Sequence, residues 1–407
     1  MAKQDATYII IGNGVAGTTA AETIRKQDPN GTVVLITNEP HTLYNRVALP
    51  PYLRLETPRE KVFIRNLEWH ERNGIQLLLE THVSSVNHEE RTVTTADGRE
   101  FRYDKLLVAT GGRPNRLKAP GAEGVQGIFN FQYLDDADAI SEHIRRSRCA
   151  VAVGGSFIAY ELTEAFNARG LHTTWLIRGP RFLRRIIDDA GGELVDLVAR
   201  SHGVETVYGE EVAEVLRKDG AVKGVVTTGG KHLDADLVGC GLGLTYNLEL
   251  LANTPVEVNR GVVTNEYLET TVPGIFAAGD VAEYYDVTIG RHNIMGTWSS
   301  AASQGRTAGM NMVGAGVQYA NVPLYTSMLF DLKLSAFGLT PESEPKLESV
   351  TKADLASRRY RRLFFLENRL VGGIIIGDNQ EMKGRSKLME LIKSGCPVDD
   401  REALLHV

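Results

Sequence analysis

The sequence predicts an α/β fold with two βαβ units and a smaller α+β region at its C-terminal end. Two segments, each a strand, a glycine-containing turn and a helix, begin 142 positions apart in the chain. After Pro323 the pattern changes to short apolar strands followed by one helix. The chain has 407 residues, so we expect two or three domains of roughly 150 residues each.

The composition is that of an ordinary globular protein and excludes several classes. Apolar residues make up 43% and charged residues 24% of the chain, which argues against disorder and coiled coil. The net charge of -6 argues against general nucleic-acid binding, which needs a basic surface. No apolar stretch reaches the roughly 18 residues that span a bilayer, and residues 1–6 lead into no signal-peptide cleavage site. We expect a cytoplasmic protein that binds neither nucleic acid nor membrane.

The first βαβ unit carries a G-x-G-x-x-G pattern between its strand, residues 8–11, and its helix. Gly12 permits a tight turn, Gly14 lets the main chain approach a pyrophosphate, and Gly17 lets the helix pack close to the strand. Because the N-terminus of a helix attracts anions, the pattern predicts a dinucleotide site at this turn. Its residues are Gly12, Gly14, Val15, Ala16 and Gly17.

The second strand of this unit, residues 32–37, is followed by a candidate ribose ligand. Dinucleotide sites of this type place an acid near this point, where it binds the ribose hydroxyls. Glu39 fits this position, and its neighbour Asn38 is the alternative.

The second βαβ unit repeats the pattern in a degenerate form. Gly154, Ser156 and Ala159 occupy the three glycine positions of the first unit, at a constant offset. Ser156 is small enough to leave a phosphate room. The pattern predicts a second nucleotide site that includes Gly154, Ser156, Phe157 and Ile158. An ordinary βαβ unit without a ligand is the alternative.

The end of the next strand, residues 172–177, bears on which nucleotide binds. Ile177 is followed by Arg178, where an NAD site has an acid. Arg178 and Arg184 could instead bind a 2′-phosphate through charge-assisted hydrogen bonds. We therefore predict NADPH, with NADH as the alternative. A solvated basic loop of Arg178, Arg181, Arg184 and Arg185 is the competing interpretation.

Four further segments resemble those of the FAD and pyridine-nucleotide oxidoreductases that have two dinucleotide-binding domains. They are residues 106–111 (LLVATG), 237–243 (LVGCGLG), 271–280 (TVPGIFAAGD) and 301–305 (AASQG). Within that family the chain is most similar to rubredoxin and ferredoxin reductases and to the flavin module of nitrite reductase. The resemblance implies FAD at the first turn and NAD(P)H at the second.

The resemblance also implies roles for single residues. It places Asp280 on the ribityl chain of the flavin, Arg46 of the run Tyr44-Asn45-Arg46 close to the flavin, and a helix N-terminus near residues 298–303 against the flavin ring. Glu161 resembles the family glutamate that holds the nicotinamide near the flavin; the alternative is an acid favoured by the dipole of its own helix. The remaining cofactor contacts that it implies are Val83, Thr110, Gly111, Gly241, Thr297 and Trp298.

The three cysteines, Cys149, Cys240 and Cys396, match neither a disulfide framework nor a metal-ligand spacing. Disulfide reductases of the family carry a C-x-x-x-x-C after the first FAD unit, and this chain has Y-N-R-V-A-L-P-P-Y-L there. We therefore predict no redox-active cysteine and no metal site. Cys240 is expected to be a small buried core residue.

The resemblance implies a discontinuous FAD-binding domain, residues 1–115 and 249–321, with an NAD(P)H-binding domain, residues 116–248, inserted in it. Residues 322–407 would form a C-terminal α+β interface domain. Its pattern predicts strands at residues 327–334, 360–366 and 370–376, a turn at 367–369 and a helix from Ser386 to Lys393.

Such a protein would transfer hydride from NAD(P)H to FAD and then single electrons to rubredoxin or ferredoxin. An NAD(P)H oxidase or quinone reductase is one alternative, and a redox-sensing flavoprotein similar to apoptosis-inducing factor is another. Four arginines, Arg358, Arg359, Arg361 and Arg362, could steer an acidic carrier protein or simply form a solvated strand. The C-terminal domain could also form a homodimer interface.

Overall fold

The computed structural model describes residues 4–407; residues 1–3, the start of the segment in which the sequence predicts no signal-peptide cleavage site, lie outside the described residues. The helices are α1 Val15–Gln27, α2 Leu49–Leu53, α3 Leu67–Arg72, α4 Leu134–Ile144, α5 Phe157–Ala168, α6 Asp189–Ser201, α7 Trp298–Met312 and α8 Arg385–Ser394.

The strands, in chain order, are β1 Gln4–Ile11, β2 Val33–Ile36, β3 Ile75–Leu78, β4 Val83–Asn87, β5 Thr92–Thr95, β6 Glu100–Val108, β7 Gly112–Pro114, β8 Ile128–Asn130, β9 Cys149–Val153, β10 His172–Ile177, β11 Glu205–Tyr208, β12 Val212–Lys218, β13 Ala221–Thr227, β14 His232–Asp234, β15 Leu237–Cys240, β16 Leu244–Tyr246, β17 Val262–Thr264, β18 Ile275–Ala277, β19 Ala282–Asp286, β20 Arg291–Asn293, β21 Leu324–Leu329, β22 Leu332–Gly338, β23 Glu348–Asp354, β24 Arg359–Leu366 and β25 Arg369–Gly377.

The chain divides into two compact units. Unit 1 comprises residues 4–45, 59–113 and 245–323, and unit 2 comprises residues 46–58, 114–244 and 324–407. Unit 1 therefore contains the first glycine turn, and unit 2 contains the second one together with the C-terminal region. The three-domain boundaries expected from the sequence stay predictions.

Unit 1 is built on a sheet in the order β3-β2-β1-β6-β5-β4, with β18 beside the end of β6. Strands β1, β2 and β3 pair in parallel, and β6 pairs in parallel with β1 and β18, whereas β5 pairs antiparallel with both β6 and β4. Parallel strands covered on both faces need continuous apolar runs, and β2 is buried at every residue. The predicted βαβ unit is confirmed.

Unit 2 contains a second parallel sheet in the order β11-β10-β9-β15-β8. Its strand β10 spans the residues that the sequence predicts, and α5 connects β9 to β10 in a second βαβ unit. A smaller antiparallel sheet, β12-β13-β14, adjoins it within the same unit. The α/β fold class with two Rossmann-like units is therefore confirmed.

The C-terminal region of unit 2 is an antiparallel sheet in the order β21-β22-β25-β24-β23, followed by α8. The predicted single strand over residues 327–334 is wrong, because β21 ends at Leu329 and β22 begins at Leu332. Phe330 has φ +53° at the turn, and its ring packs edge-on against Tyr160. Because the turn residue Phe330 is apolar, the sequence pattern gives no sign that the strand is interrupted there.

The other C-terminal predictions agree with the structure in part. Strands β24 and β25 are confirmed, and α8 extends one residue beyond the prediction at each end. The hairpin turn is shorter than predicted, since only Glu367 and Asn368 take positive φ, +48° and +59°, as type I′ turns require. Strand β23 was not predicted, because most of its residues are exposed and polar. No helix of residues 4–407 is long and apolar enough to cross a membrane.

Candidate functional site

The first glycine turn has the geometry that its sequence pattern predicts. Gly12 takes φ +115°, a conformation that strains any residue with a side chain. A Cβ on Gly17 would lie 1.9 Å from the main-chain oxygen of Gly12, so only glycine lets α1 approach the turn. A Cβ on Gly14 would meet no described atom within 4 Å. The main chain at Gly14 therefore borders open space.

The N-terminus of α1 is well suited to a pyrophosphate. Its N-cap is Gly14, and within the described residues no side chain caps the free amides. The first turn of α1 also carries no acid. Uncapped amides and the positive end of the helix dipole favour an anion at this position. The residues present therefore fit the diphosphate of FAD.

Other parts of unit 1 meet at the same turn. A Cβ on Gly279 would lie 3.2 Å from the Cβ of Ala16, so the turn that carries Asp280 lies beside the start of α1. The buried Gln304 accepts a hydrogen bond of 2.7 Å from the Gly279 amide and fixes that turn. A Cβ on Gly305 would lie 2.1 Å from the oxygen of Ala16, which explains the close packing of α7 on α1.

The predicted contacts Thr110 and Gly111 lie just after β6 and are held by Asn247. The Thr110 hydroxyl donates to the main-chain oxygen of Asn247 at 2.9 Å, and the Asn247 amide group donates to the oxygen of Thr110 at 2.9 Å. Gly111 takes φ +58° with no described atom within 4 Å of a Cβ there. Asn247 is a positioning group that the sequence pattern did not indicate.

The candidate ribose ligand Glu39 lies three residues beyond the end of β2. The Tyr44 hydroxyl donates to its Oε2 at 2.6 Å, and its amide donates to the Thr37 hydroxyl at 3.2 Å. Glu39 is half-buried and held in place, whereas Asn38 is exposed. Val83, another predicted contact, packs in the hydrophobic core of unit 1. Their roles toward a cofactor stay predictions.

Helix α7 begins at Trp298, within the predicted segment. Thr297 is its N-cap, and its hydroxyl accepts a hydrogen bond of 3.2 Å from the Ser300 amide. Trp298 and Asp280 are both half-buried. The structure thus gathers the predicted flavin residues other than Arg46 in unit 1.

The second glycine turn differs from the first at two positions, and the structure explains both. Gly154 takes φ +130°, as Gly12 does in its turn. Ser156 is the N-cap of α5 and also donates to the oxygen of Gly241 at 2.9 Å. A Cβ on Gly241 would lie 2.8 Å from the Cβ of Ala159. Glycine at 241 therefore lets the main chain at the start of α5 approach closely, since a Cβ at position 241 would lie 2.4 Å from the Ala159 nitrogen.

Arg178 and Arg184 lie at the carboxyl end of β10, and both are exposed. Arg178 forms a 3.1 Å ion pair with Glu211, and the two side chains are 70% and 52% exposed. An ion pair this exposed contributes little free energy, so Glu211 does not hold Arg178 firmly. The sequence pattern at the end of β10 does not indicate Glu211 as a partner of Arg178.

Glu161 is buried in the second turn of α5. Its Oε1 accepts a hydrogen bond of 2.8 Å from the hydroxyl of Tyr325 in β21. Burial raises the pKa of Glu161 to about 7, although the Tyr325 and Ser327 hydroxyls and the charge of Arg54 oppose the shift. The helix-dipole alternative is wrong, because α5 has no acid in its first turn. The nicotinamide role stays a prediction.

A second carboxylate lies one turn further along α5. Glu164 forms a 2.9 Å ion pair with Arg54, and both side chains are more than 90% buried. Arg54 also pairs with Glu56 at 2.9 Å. The Tyr160 hydroxyl bonds Glu164 and accepts a 2.6 Å hydrogen bond from the Phe330 amide. Buried charges need such partners, since desolvation is otherwise costly.

Arg46 lies in unit 2, just after the boundary that follows Asn45. Its guanidinium donates to the oxygen of Gln132 at 3.3 Å and lies 5.1 Å from the centre of the Tyr133 ring. The predicted flavin contact of Arg46 stays a prediction.

The four arginines of residues 358–362 do not form a uniform basic surface. Arg361 is 3% exposed and pairs with Glu381 at 3.0 Å. Arg358 pairs with Asp331, and Arg359 pairs with Asp378. Arg362 donates to the oxygen of Ile186 at 3.2 Å. The interpretation as a solvated strand is wrong for Arg361, and carboxylates offset the charge of three of these arginines.

The cysteines are distributed as the sequence suggests. Cys240 is buried and Cys396 is exposed, and no described cysteine is in a disulfide. Burial raises the pKa of Cys240 to about 12, so its thiol stays protonated. No group of three metal-ligating side chains is found among residues 4–407.

These elements define the class of protein. Two Rossmann-like units, each with a positive-φ glycine turn at the start of a helix, are the framework of an enzyme that binds two dinucleotides. Residues 6–305 match the family described as pyridine nucleotide-disulphide oxidoreductase. The chain belongs to that family. Membership implies binding of FAD and of a nicotinamide dinucleotide.

Comparisons with individual proteins extend the match to the C-terminal region. Residues 327–396 match the family described as the rubredoxin NAD+ reductase C-terminal domain. The chain is 27% identical over 395 residues to the nitrite reductase [NAD(P)H] of Bacillus subtilis, covering 96% of this chain and 48% of that protein. It is 27% identical over 331 residues to the rubredoxin-NAD(+) reductase of Pseudomonas putida, covering 81% of this chain and 86% of that protein.

A solved structure gives a similar result. The covalent putidaredoxin reductase–putidaredoxin complex matches with a TM-score of 0.91 and 25% identity, covering 99% of this chain and 96% of the matched chain. The chain thus spans about half the length of the nitrite reductase. It spans most of the rubredoxin reductase and of the matched chain in the solved structure.

Proposed function

We propose that this protein is a flavin-dependent NAD(P)H reductase that delivers single electrons to a small iron–sulfur protein or rubredoxin. The observation that carries the proposal is a pair of glycine turns without a redox cysteine at the predicted flavin segments. Bound FAD and NAD(P)H would supply hydride transfer and then one-electron transfer. Electrons that cannot pass to a disulfide of the chain must leave to an external acceptor.

The residues of unit 1 would hold the flavin. The free amides of α1 would bind the diphosphate, Glu39 the ribose hydroxyls, and Asp280 the ribityl chain. The N-terminal end of α7 at Thr297 and Trp298 would favour negative charge on the flavin ring. Val83, Thr110 and Gly111 would complete this set.

The residues of unit 2 would hold the nicotinamide nucleotide. The turn at Gly154 and Ser156 would bind its diphosphate, with Phe157, Ile158 and Gly241 beside it. Glu161 would contact the nicotinamide end and Arg46 the flavin, so both would act at the site of hydride transfer. Two matched relatives are named for acceptor proteins, rubredoxin and putidaredoxin, and this supports a protein acceptor.

Anaerobic stopped-flow mixing with NADPH or NADH, followed by a rubredoxin or a [2Fe–2S] ferredoxin in separate runs, tests the function. We expect rapid loss of flavin absorbance and then reduction of one carrier under multiple turnover. Turnover with oxygen or a quinone but with neither carrier would favour the oxidase or quinone reductase. A long-lived charge-transfer band with slow turnover would favour a redox sensor. Protein that stays colourless after incubation with FAD would contradict the proposal.

We also propose a preference for NADPH, through Arg178 and Arg184. Replacing both arginines with alanine should lower kcat/KM for NADPH by about 10- to 100-fold, because two charge-assisted hydrogen bonds to the 2′-phosphate are lost. The value for NADH should change little. Steady-state kinetics with both nucleotides measures the difference.

The matched control is Arg200→Ala, which removes an exposed arginine of α6 that pairs with Asp196. Its kinetics should equal those of the parent protein. A parent protein that prefers NADH, as the name of the rubredoxin-NAD(+) reductase indicates for that relative, would contradict the preference but not the proposed reductase activity.

A further inference from the structure

One face of helix α5 meets one face of strand β21 within unit 2. Phe157, Tyr160, Glu161 and Glu164 have the spacing i, i+3, i+4, i+7 and therefore share a face of the helix. Residues two apart in a strand also share a face. The face of β21 that contacts α5 includes Tyr325 and Ser327, so a segment from the C-terminal region borders the second nucleotide turn.

Tyr325 makes two contacts with this face of α5. Its hydroxyl donates to Oε1 of Glu161 at 2.8 Å. Its ring lies on the ring of Phe157, with 3.9 Å between the centroids and 34° between the planes. Phe157 is the first residue of α5, and it also packs edge-on against Phe182 at 6.0 Å. One side chain thus fixes the orientation of both an acid and an aromatic ring.

The hydrogen bond from Tyr325 is an important contact of the Glu161 carboxyl group, because the charged neighbour Arg54 forms its ion pairs with other acids. Arg54 forms its ion pairs with Glu164 and Glu56, and it acts on Glu161 only through its charge. The Tyr160 hydroxyl bonds Glu164. The carboxyl of Glu161 is therefore bonded by two neutral hydroxyls, those of Tyr325 and Ser327.

We propose that Tyr325 is a positioning residue of the nicotinamide site, which orients the Glu161 carboxyl with its hydroxyl and the Phe157 ring with its own ring. The inference rests on the proposed function, in which Glu161 contacts the nicotinamide. It gives the C-terminal region a part in the reduction of the flavin, in addition to any docking of the acceptor. The ligand group that this arrangement suits is a carboxamide, which both donates and accepts hydrogen bonds.

The hydroxyl of Tyr325 has a measurable consequence for Glu161. A hydrogen-bond donor stabilises the carboxylate more than the neutral acid, so its removal disfavours the charged form. Burial already raises the pKa of Glu161 to about 7, and loss of the donor should raise it further. We expect an upward shift of about one pKa unit, as for the loss of one such hydrogen bond.

The test compares Tyr325→Phe, which keeps the ring on Phe157, with the parent protein loaded with FAD. Carboxyl ¹³C NMR of glutamate-labelled protein without nucleotide follows the titration of Glu161, whose signal is identified by its loss in Glu161→Gln. The pH profile of anaerobic flavin reduction is then recorded for both proteins. We expect both midpoints to move up by about one unit, together with a decrease in the reduction rate at neutral pH.

Tyr8→Phe is the matched control, since it removes a tyrosine hydroxyl that donates to Asp28 at 2.9 Å in unit 1. It should leave both midpoints unchanged. Ser327→Ala should shift them in the same direction by a smaller amount, and it provides the test if Tyr325→Phe does not fold.

Three outcomes would overturn the inference. An unchanged titration of Glu161 would show that Tyr325 does not act on it. If the Glu161 titration shifted but the pH profile of flavin reduction did not change, the Tyr325–Glu161 pair would have no role at the nicotinamide. The proposed function would not be affected by that result. A parent flavin that neither NADPH nor NADH reduces would refute the proposed function, and the inference with it.

Discussion

We expect the Gly17→Ala protein to lose its flavin and to unfold at a lower temperature than the parent. The new Cβ would lie 1.9 Å from the main-chain oxygen of Gly12 and 3.1 Å from Cγ2 of Ile10. Since the first contact is with main chain, α1 must move away from β1. Overpacking of this kind costs about 3 kcal/mol or more, and the shift displaces the amides proposed to bind the diphosphate. Flavin absorbance per protein and thermal unfolding measure the two effects.

The second βαβ unit provides the matched control, because alanine already occupies the corresponding position. Ala159→Gly should cost only about 1 kcal/mol, from the lower helix propensity of glycine. It should leave the flavin content unchanged. A Gly17→Ala protein with parental colour and stability would show that the first turn does not depend on close packing of the helix.

The Arg361→Met protein should be destabilised by about 3–5 kcal/mol, the range for removal of one partner of a buried ion pair. Arg361 pairs with Glu381 at 3.0 Å and donates to the main-chain oxygens of Glu381 and Leu404. Methionine has a similar length but leaves the carboxylate and these oxygens without their donor. Urea unfolding followed by circular dichroism measures the loss in the free energy of unfolding.

Arg359→Met is the matched control on the same strand. Arg359 pairs with Asp378, and the two side chains are 32% and 52% exposed. A pair of this kind is worth about 1 kcal/mol or less. If both variants lost the same amount of stability, the buried pair of Arg361 would have no special role in the C-terminal sheet.

The core of the fold could be predicted from sequence because its signals are local. The strand, glycine turn and helix at residues 8–27 lie next to one another in the chain, and the positive φ of Gly12 and the close packing at Gly17 require glycine there. The same holds for the second unit, where the end of β10 at Ile177 agrees with the prediction. Continuous apolar runs also indicate buried parallel strands without knowledge of their neighbours.

The C-terminal region shows where local signals fail. The turn between β21 and β22 contains the apolar residue Phe330, so residues 327–334 have the pattern of one uninterrupted strand. The ring of Phe330 is buried against Tyr160, which lies 170 residues earlier in the chain. Phe330 also stacks on His202, with 4.7 Å between the ring centroids, and long-range contacts of this kind make an apolar turn residue favourable.

The sequence by itself was enough to predict the two dinucleotide-binding units from the residues at their glycine turns. It also showed that no cysteine pair follows the first unit. The tertiary structure decided which charges are neutralised and which acids are buried. Glu161 meets Tyr325, 164 residues away, and Arg361 of β24 meets Glu381, which lies between the end of β25 and the start of α8. Such partners depend on the packing of distant segments, whereas the pattern that identifies each glycine turn lies within a few adjacent residues.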